Sequence, residues 1–321
     1  MRHHLGSAAF VAALGMSGLA QAQTLTLGMQ ESQGHNIYVG AEAINEKLQE
    51  LSSGEMSLTL YPGAQLGDFR AMAGQAQVGE LDMFIHGHTD LNYMIPELTL
   101  MGAAYVLPSF EAYERLLTTS FGDEMEAKYL EQGLRPLDAW YLGMRQTTSN
   151  RPIESLEDMQ GLKLRVPNTD FLIESTKALG AQPTPVAFQE VYLALQTNQV
   201  DAQENPLSTI QNMKFYEVQD YIAMTSHFMA AMHVTVSEAT WSGLSEQQQG
   251  WLREAVAHGG EVSDARTFED EAKLLAFFQE QGLSVTRPDL APFHEAMKPY
   301  YEQLEERFGE GAVSSLIEQT R

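Results

Sequence analysis

The chain has 321 residues, a formal net charge of −24 at pH 7 from 43 Asp and Glu against 19 Lys and Arg, and no cysteine. Such an acidic balance argues against nucleic acid as a partner, because binding phosphates takes a basic footprint. Without cysteine there is no disulfide framework, and a chain of this length can form a core without one.

The chain opens with a leader. Residues 1–22 read MRHHLGSAAFVAALGMSGLAQA: a short basic start, an apolar run rich in Ala and Gly, and Ala20-Gln21-Ala22 as an A-x-A cleavage site. Gln23 is therefore the expected mature start of an exported chain. The run is too short to span a bilayer comfortably, no later stretch is long enough, and no cysteine follows to carry a lipid. Strand-forming TLTLGM leads to a helical stretch over 37–51, a stop at Gly54 and a strand MSLTLY. This βαβ unit starts a parallel sheet. A helix over 68–77 and a strand over 81–85 follow. In HGHTD, His86, His88 and Asp90 then alternate on one side of an extended chain. Histidine and carboxylate suit zinc, but His35 is the only other ligand nearby. The stretch reads as rim histidines bonding ligand or solvent, and no metal is expected. His3 and His4 belong to the leader.

The densest chemistry lies in 145–206, which has two arginines, an Asn-Pro turn and no plausible nucleophile with its base. In LKLRVP, Leu162, Leu164 and Val166 alternate with Lys163 and Arg165, the period of a strand with one apolar face. An arginine at the end of a parallel strand is aimed at the crevice where open α/β sheets bind ligands. Its rigid fork matches a carboxylate. The alternative is a solvated or ion-paired surface arginine. Thr169 or Asp170 can cap a helix through FLIESTKAL, stopped by Gly180. EVYLALQT puts Val191, Ala194 and Leu195 on one helical face, and TNQVDAQENP reads as a polar turn. Pro206 keeps Asn205 out of the helical region, so the Asn205 amide either faces a ligand or closes an Asx turn.

Together these segments carry a resemblance. TLTLGMQ, LTLYPGAQLGDFRAM, GELDMFI, MRQTTSNRPI, GLKLRVPN and above all EVYLALQTNQVDAQENPL resemble the substrate-binding proteins of tripartite ATP-independent periplasmic (TRAP) transporters, the DctP family, on the branch of the sialic-acid binders. The match runs over nearly the whole mature chain. The resemblance implies an α/β, two-domain periplasmic binding protein fold with hinge-connected open sheets and a long domain-spanning helix over 250–282, which Gly259 and Gly260 could kink. It places domain I at 23–142 and 231–270, and domain II at 143–230 and 271–321. The implied partners are a small-molecule carboxylate and the membrane permease subunits, with the receptor a monomer and no cofactor. Arg165 matches the arginine that pairs with the ligand carboxylate, Arg145 a second arginine near it, Asn205 an amide contact and Phe188 an apolar wall. Gln30, His86 and Gly87 form the facing domain I wall.

The departures bear on the ligand. Sialic-acid-binding relatives carry Glu and then Arg where this chain has Gly87 and Asp90, an acidic residue at Phe69, and asparagines at Leu142 and Gln30. Those polar contacts are missing on the domain I side, which implies a different and smaller ligand, a sugar acid or a dicarboxylate. A second reading keeps the scaffold but binds an amine or zwitterion, using Glu31 with Trp140 and Tyr141 as a cation site. An enzyme is not expected, because the chain has no GxSxG, Walker loop or post-strand GxGxxG.

Overall fold

The structure is a computed structural model that describes residues 22–320. The expected leader therefore lies outside the described residues, except for Ala22. Among the described residues, no helix is long and apolar enough to cross a membrane.

Nine strands form one sheet: β1 (Gln23–Gly28), β2 (Met56–Tyr61), β3 (Met83–Gly87), β4 (Leu134–Ser149), β5 (Lys163–Val166), β6 (Gln182–Pro185), β7 (Ala202–Pro206), β8 (Tyr221–Ser237) and β9 (Ser284–Thr286). Their order is β2-β1-β3-β8-β4-β7-β5-β6, with β9 beside β8. β1 runs parallel to β2 and β3, and β5 runs parallel to β6 and β7. Between these two parallel groups stand the long antiparallel partners β4 and β8.

The two halves of the α/β fold are thus not separate sheets joined by loops. β4 and β8 run through both. The expected crossings at 142/143 and 230/231 fall inside these strands, at an irregularity in their ladder. Tyr141 pairs with Ala231 and Gly143 with Ala230, leaving Leu142 as an extra residue. A second irregularity lies between Arg145–Phe228 and Thr147–Ala223. Bulges bend a strand and increase its local twist, so the places where the chain passes from one half to the other are also where its spine is bent.

The helix Glu246–Glu280 is one 35-residue segment, started by a capping box between Ser245 and Gln248. Gly259 and Gly260 do not interrupt it. They mark a close approach instead: a Cβ on Gly259 would meet the Gly40 carbonyl oxygen at 2.7 Å, and one on Gly40 would meet the Gly259 carbonyl oxygen at 2.8 Å and Trp140 at 2.8 Å. Helix Asn36–Leu51 and the long helix therefore cross with backbones nearly touching. This locks the first βαβ unit to β4, whose middle lines the cleft at Leu142 and Arg145.

Candidate functional site: an acid-binding cleft

A cavity of about 670 Å³ opens between the halves. Part of its lining comes from the carboxyl ends of parallel strands and the segments that follow them: Gln30 and Glu31 after β1, Gly87 to Asp90 from β3, Arg165 and Pro167 from β5, and Pro185 to Gln189 from β6; β4 and β8 add Leu142, Arg145, Phe228 and Ala230 to Met232. The carboxyl ends of parallel strands are where an open α/β sheet exposes a crevice.

Arg165 is 1 % exposed. Leu162, Leu164 and Val166 are buried too, so the strand has no solvent face at the arginine. Nε and Nη2 both donate to the Val186 carbonyl, at 3.0 and 2.8 Å. No carboxylate pairs with the guanidinium among the described residues. Burial pushes Arg165 down to about 9, and Glu204 partly offsets this, so it remains cationic at neutral pH. It is a buried, oriented positive charge on a cavity wall. The surface-arginine alternative does not hold.

Asn205 is buried and lines the same cavity. It does not sit in a turn. It is extended in β7, paired with Gln146 of β4, and its Nδ2 donates to Gln203 Oε1 at 2.6 Å. Proline ends this short strand at its last position, where the ladder needs no donor. Phe188, half-buried in the turn after β6, supplies apolar wall.

Arg145 reaches the cavity, but its fork is engaged. Nε and Nη2 donate to the two carboxylate oxygens of Glu204, and Nη2 also reaches the Glu204 carbonyl at 2.6 Å. His227 Nε2 lies 3.1 Å from Glu204 Oε2. Burial alone would raise the Glu204 carboxyl, but Arg145 and His227 outweigh it and hold it down to about 2. The clamp therefore has one charge without a protein counterion, Arg165, and a second already neutralised.

His86 is not on the rim. It is fully buried and does not line the cleft. Its Nδ1 lies 2.9 Å from the Gly87 carbonyl oxygen and its Nε2 lies 3.0 Å from Thr235 Oγ1. The extended reading of HGHTD fails because the chain turns after Gly87, closed by Asp90 N–H to the Gly87 carbonyl at 2.9 Å. His86 and His88 both pack into one buried aromatic cluster with His233 and Tyr113, and of the His-His-Asp set only His88 and Asp90 reach the cavity. His35 caps helix Asn36–Leu51 through Nδ1.

His88, Asp90 and Glu31 do line the cavity. His88 is held neutral by burial, and its Nε2 has no partner. Glu31 is 8 % exposed and its Oε2 is buried without a hydrogen bond. Burial, with the charge of Asp90 added, pushes Glu31 up to about 7. Burial also raises Asp90 to about 6, against the Gly87 N–H and the charges of Arg145 and Arg70. The domain I side is thus not bare of polar groups, and the cavity volume is that of an ordinary small-molecule site. Neither observation supports an unusually small ligand.

Two contacts already span the mouth. Gln189 Nε2 donates to the Gln30 carbonyl at 3.1 Å, and Arg70 Nη2 donates to the Asn168 carbonyl at 3.3 Å. Trp140 and Tyr141 do not line the cleft. Trp140 Nε1 donates to Asp138 and the Tyr141 hydroxyl donates to Glu271, so they form no cation cage there. Sequence reasoning missed Glu204 because β7 read as a turn, which hid its register opposite β4. The pairing of Arg145 with Pro206 in that register brings Glu204 within reach.

Residues 27–307 match the profile of bacterial extracellular solute-binding protein, family 7 (DctP). The sialic acid-binding periplasmic protein SiaP of Vibrio cholerae is 45 % identical over 296 residues, 92 % of each chain. Among solved structures, a TRAP periplasmic solute-binding protein of Roseobacter denitrificans with bound L-galactonate is 31 % identical with a TM-score of 0.81, over 88 % of this chain and 99 % of that one. One from Polaromonas bound to D-erythronate is 26 % identical with a TM-score of 0.87, over 92 % and 98 %.

Proposed function

This chain belongs to bacterial extracellular solute-binding protein family 7 (DctP), the solute receptors of TRAP transporters, and on that premise we propose that its cleft binds a sugar acid by the carboxylate and delivers it to a membrane permease. The observation that carries the reading is Arg165, a buried guanidinium at the wall of a cavity, paired with no carboxylate among the described residues. A carboxylate that meets it there forms a charge-assisted, geometrically matched pair where water competes little. Asn205 adds an amide contact and Phe188 an apolar face, while Arg145, its charge met by Glu204, contributes to the wall without a free charge. Gln30 and Gly87 belong to the facing wall. SiaP and the two solved relatives each carry the name of a monocarboxylic sugar acid, which supports that ligand class here.

The ligand stabilises the state in which the halves meet over it, because only that state offers contacts from both. The leader sends the protein to the periplasm, where it acts as a monomeric receptor without catalysis. Thermal-shift screening of sugar acids, dicarboxylates, keto acids and amines, followed by calorimetry on the hits, tests this. A sugar acid should give the largest shift. Selective binding of an amine that lacks a carboxylate would overturn the reading.

A further inference from the structure

If Arg165 fixes one end of the ligand, the other end must meet what lies across β4 and β8. That wall carries two carboxyl groups. Glu31 follows β1 and Asp90 follows β3, so both hang from the half of the sheet opposite β5 and β7. Glu31 is more than nine-tenths buried, with an oxygen that no group satisfies among the described residues. Orphaned buried acceptors are costly and rare, and they gain most when a ligand donor arrives.

Asp90 is held toward the same cavity by the residue beneath it. Its Oδ2 accepts the Gly87 N–H at 2.8 Å. A Cβ at residue 87 would meet that oxygen at 2.9 Å. Glycine at 87 thus leaves the space that the Asp90 carboxyl fills. Asp90 acts on Glu31, and Arg145, Arg70 and Asp68 act on Asp90.

We infer that Glu31 and Asp90 form a hydroxyl-reading subsite, which accepts hydrogen bonds from the polyol end of a monocarboxylic sugar acid and rejects a second carboxylate. The inference rests on the proposed acid-receptor function and narrows it, since a dicarboxylate would place its far charge against two acids. The same acids would accept bonds from an ammonium, so an amino acid is the competing source of donors. Arg70 and Arg145, both acting on Asp90, favour the uncharged hydroxyl.

The test is calorimetry on the mature protein with an aldonate, the matching deoxy monocarboxylate, a dicarboxylate of equal length and an amino acid of similar size. Glu31→Gln, Asp90→Asn and Gly87→Ala are compared with the parent, and thermal unfolding checks that each is folded. The parent should prefer the aldonate to the dicarboxylate by about a hundredfold or more, because a site built around donors discriminates steeply. Glu31→Gln and Asp90→Asn should each weaken the aldonate about tenfold while changing the deoxy acid less, and Gly87→Ala should follow Asp90→Asn. Equal affinity for aldonate and dicarboxylate, or aldonate binding within threefold of the parent in both acid variants, overturns the subsite. A preference for the amino acid overturns it in favour of a zwitterion. Arg165→Ala separates this from the parent reading: if it keeps aldonate binding, the carboxylate anchor fails whatever the acid variants do.

Discussion

Glu204 of β7 accepts both donors on the Nε–Nη2 edge of the Arg145 guanidinium while His227 contacts the same carboxylate, so β4 presents Arg145 to the cleft with its charge already answered. Breaking a buried pair from one side leaves a stranded charge. Glu204→Gln should therefore destabilise the protein by about 3 kcal/mol or more, measured by urea unfolding at pH 7. Glu204 also sets an acid limit. Its folded carboxyl lies below the ordinary 4.5 at about 2, so its stabilising effect is complete above 4.5 and is lost as pH falls toward 2. A loss under about 1 kcal/mol in the variant would mark the pair as solvent-relaxed.

Arg165→Ala should nearly abolish binding of the cognate acid, at a cost on the order of 2 to 5 kcal/mol for a desolvated charge pair. Arg165→Lys should recover little. An ammonium cannot both bond the Val186 carbonyl in the observed fashion and present a fork to the ligand. Calorimetry that finds less than a tenfold loss for the alanine variant, an order of magnitude that even a modest contact can supply, would remove Arg165 as the anchor.

Glu31 should make the free protein less stable at neutral than at mildly acid pH. Its folded value of about 7 lies above the ordinary 4.5, so between these values the unfolded chain releases a proton that the folded chain keeps. Stability therefore falls as pH rises from 4.5 to 7 and then levels off. The effect is on the order of 3 kcal/mol at most, and Asp90 shares it. Glu31→Gln should flatten this part of the stability profile in denaturant unfolding at a series of pH values. A variant whose profile runs parallel to the parent's would show that the carboxyl ionises freely in the folded state.

Local chemistry made the first βαβ unit legible. The strand at Gln23–Gly28, helix at Asn36–Leu51, left-handed Gly54 and strand at Met56–Tyr61 all follow from periodicity and stop signals. The helix ending before Gly180 and the buried Val191, Ala194 and Leu195 face followed in the same way. β4 and β8 were not legible, because a long strand buried on both faces has no alternation to read, and its pairings are non-local. The same gap explains the errors at the site. Arg165 could be placed from its own strand. The state of Arg145 depends on the β4–β7 register, and the burial of His86 depends on the β3–β8 pairing and on Tyr129, which packs over it from far along the chain.

Closure should act through the β4–β8 spine. The cleft groups Arg165, Asn205 and Phe188 sit on one side of the Leu142 irregularity, and Gln30, Glu31 and Asp90 sit on the other. Among the described residues, two hydrogen bonds between exposed or half-buried groups tie the lips, Gln189 to Gln30 and Arg70 to Asn168, and one buried contact of 3.3 Å joins His35 to Thr209. Such bonds contribute about 1 kcal/mol each, too little to hold the cleft shut without ligand. The free protein should therefore sample an open state, and a ligand touching both walls should shift it by its differential affinity for the closed one. Small-angle scattering should give a smaller radius of gyration at saturating ligand. Gln189→Ala should widen the free protein while leaving the saturated radius unchanged. An unchanged radius under conditions where calorimetry confirms binding would make the cleft a static pocket, and the permease would then have to sense the ligand itself and not the closed surface.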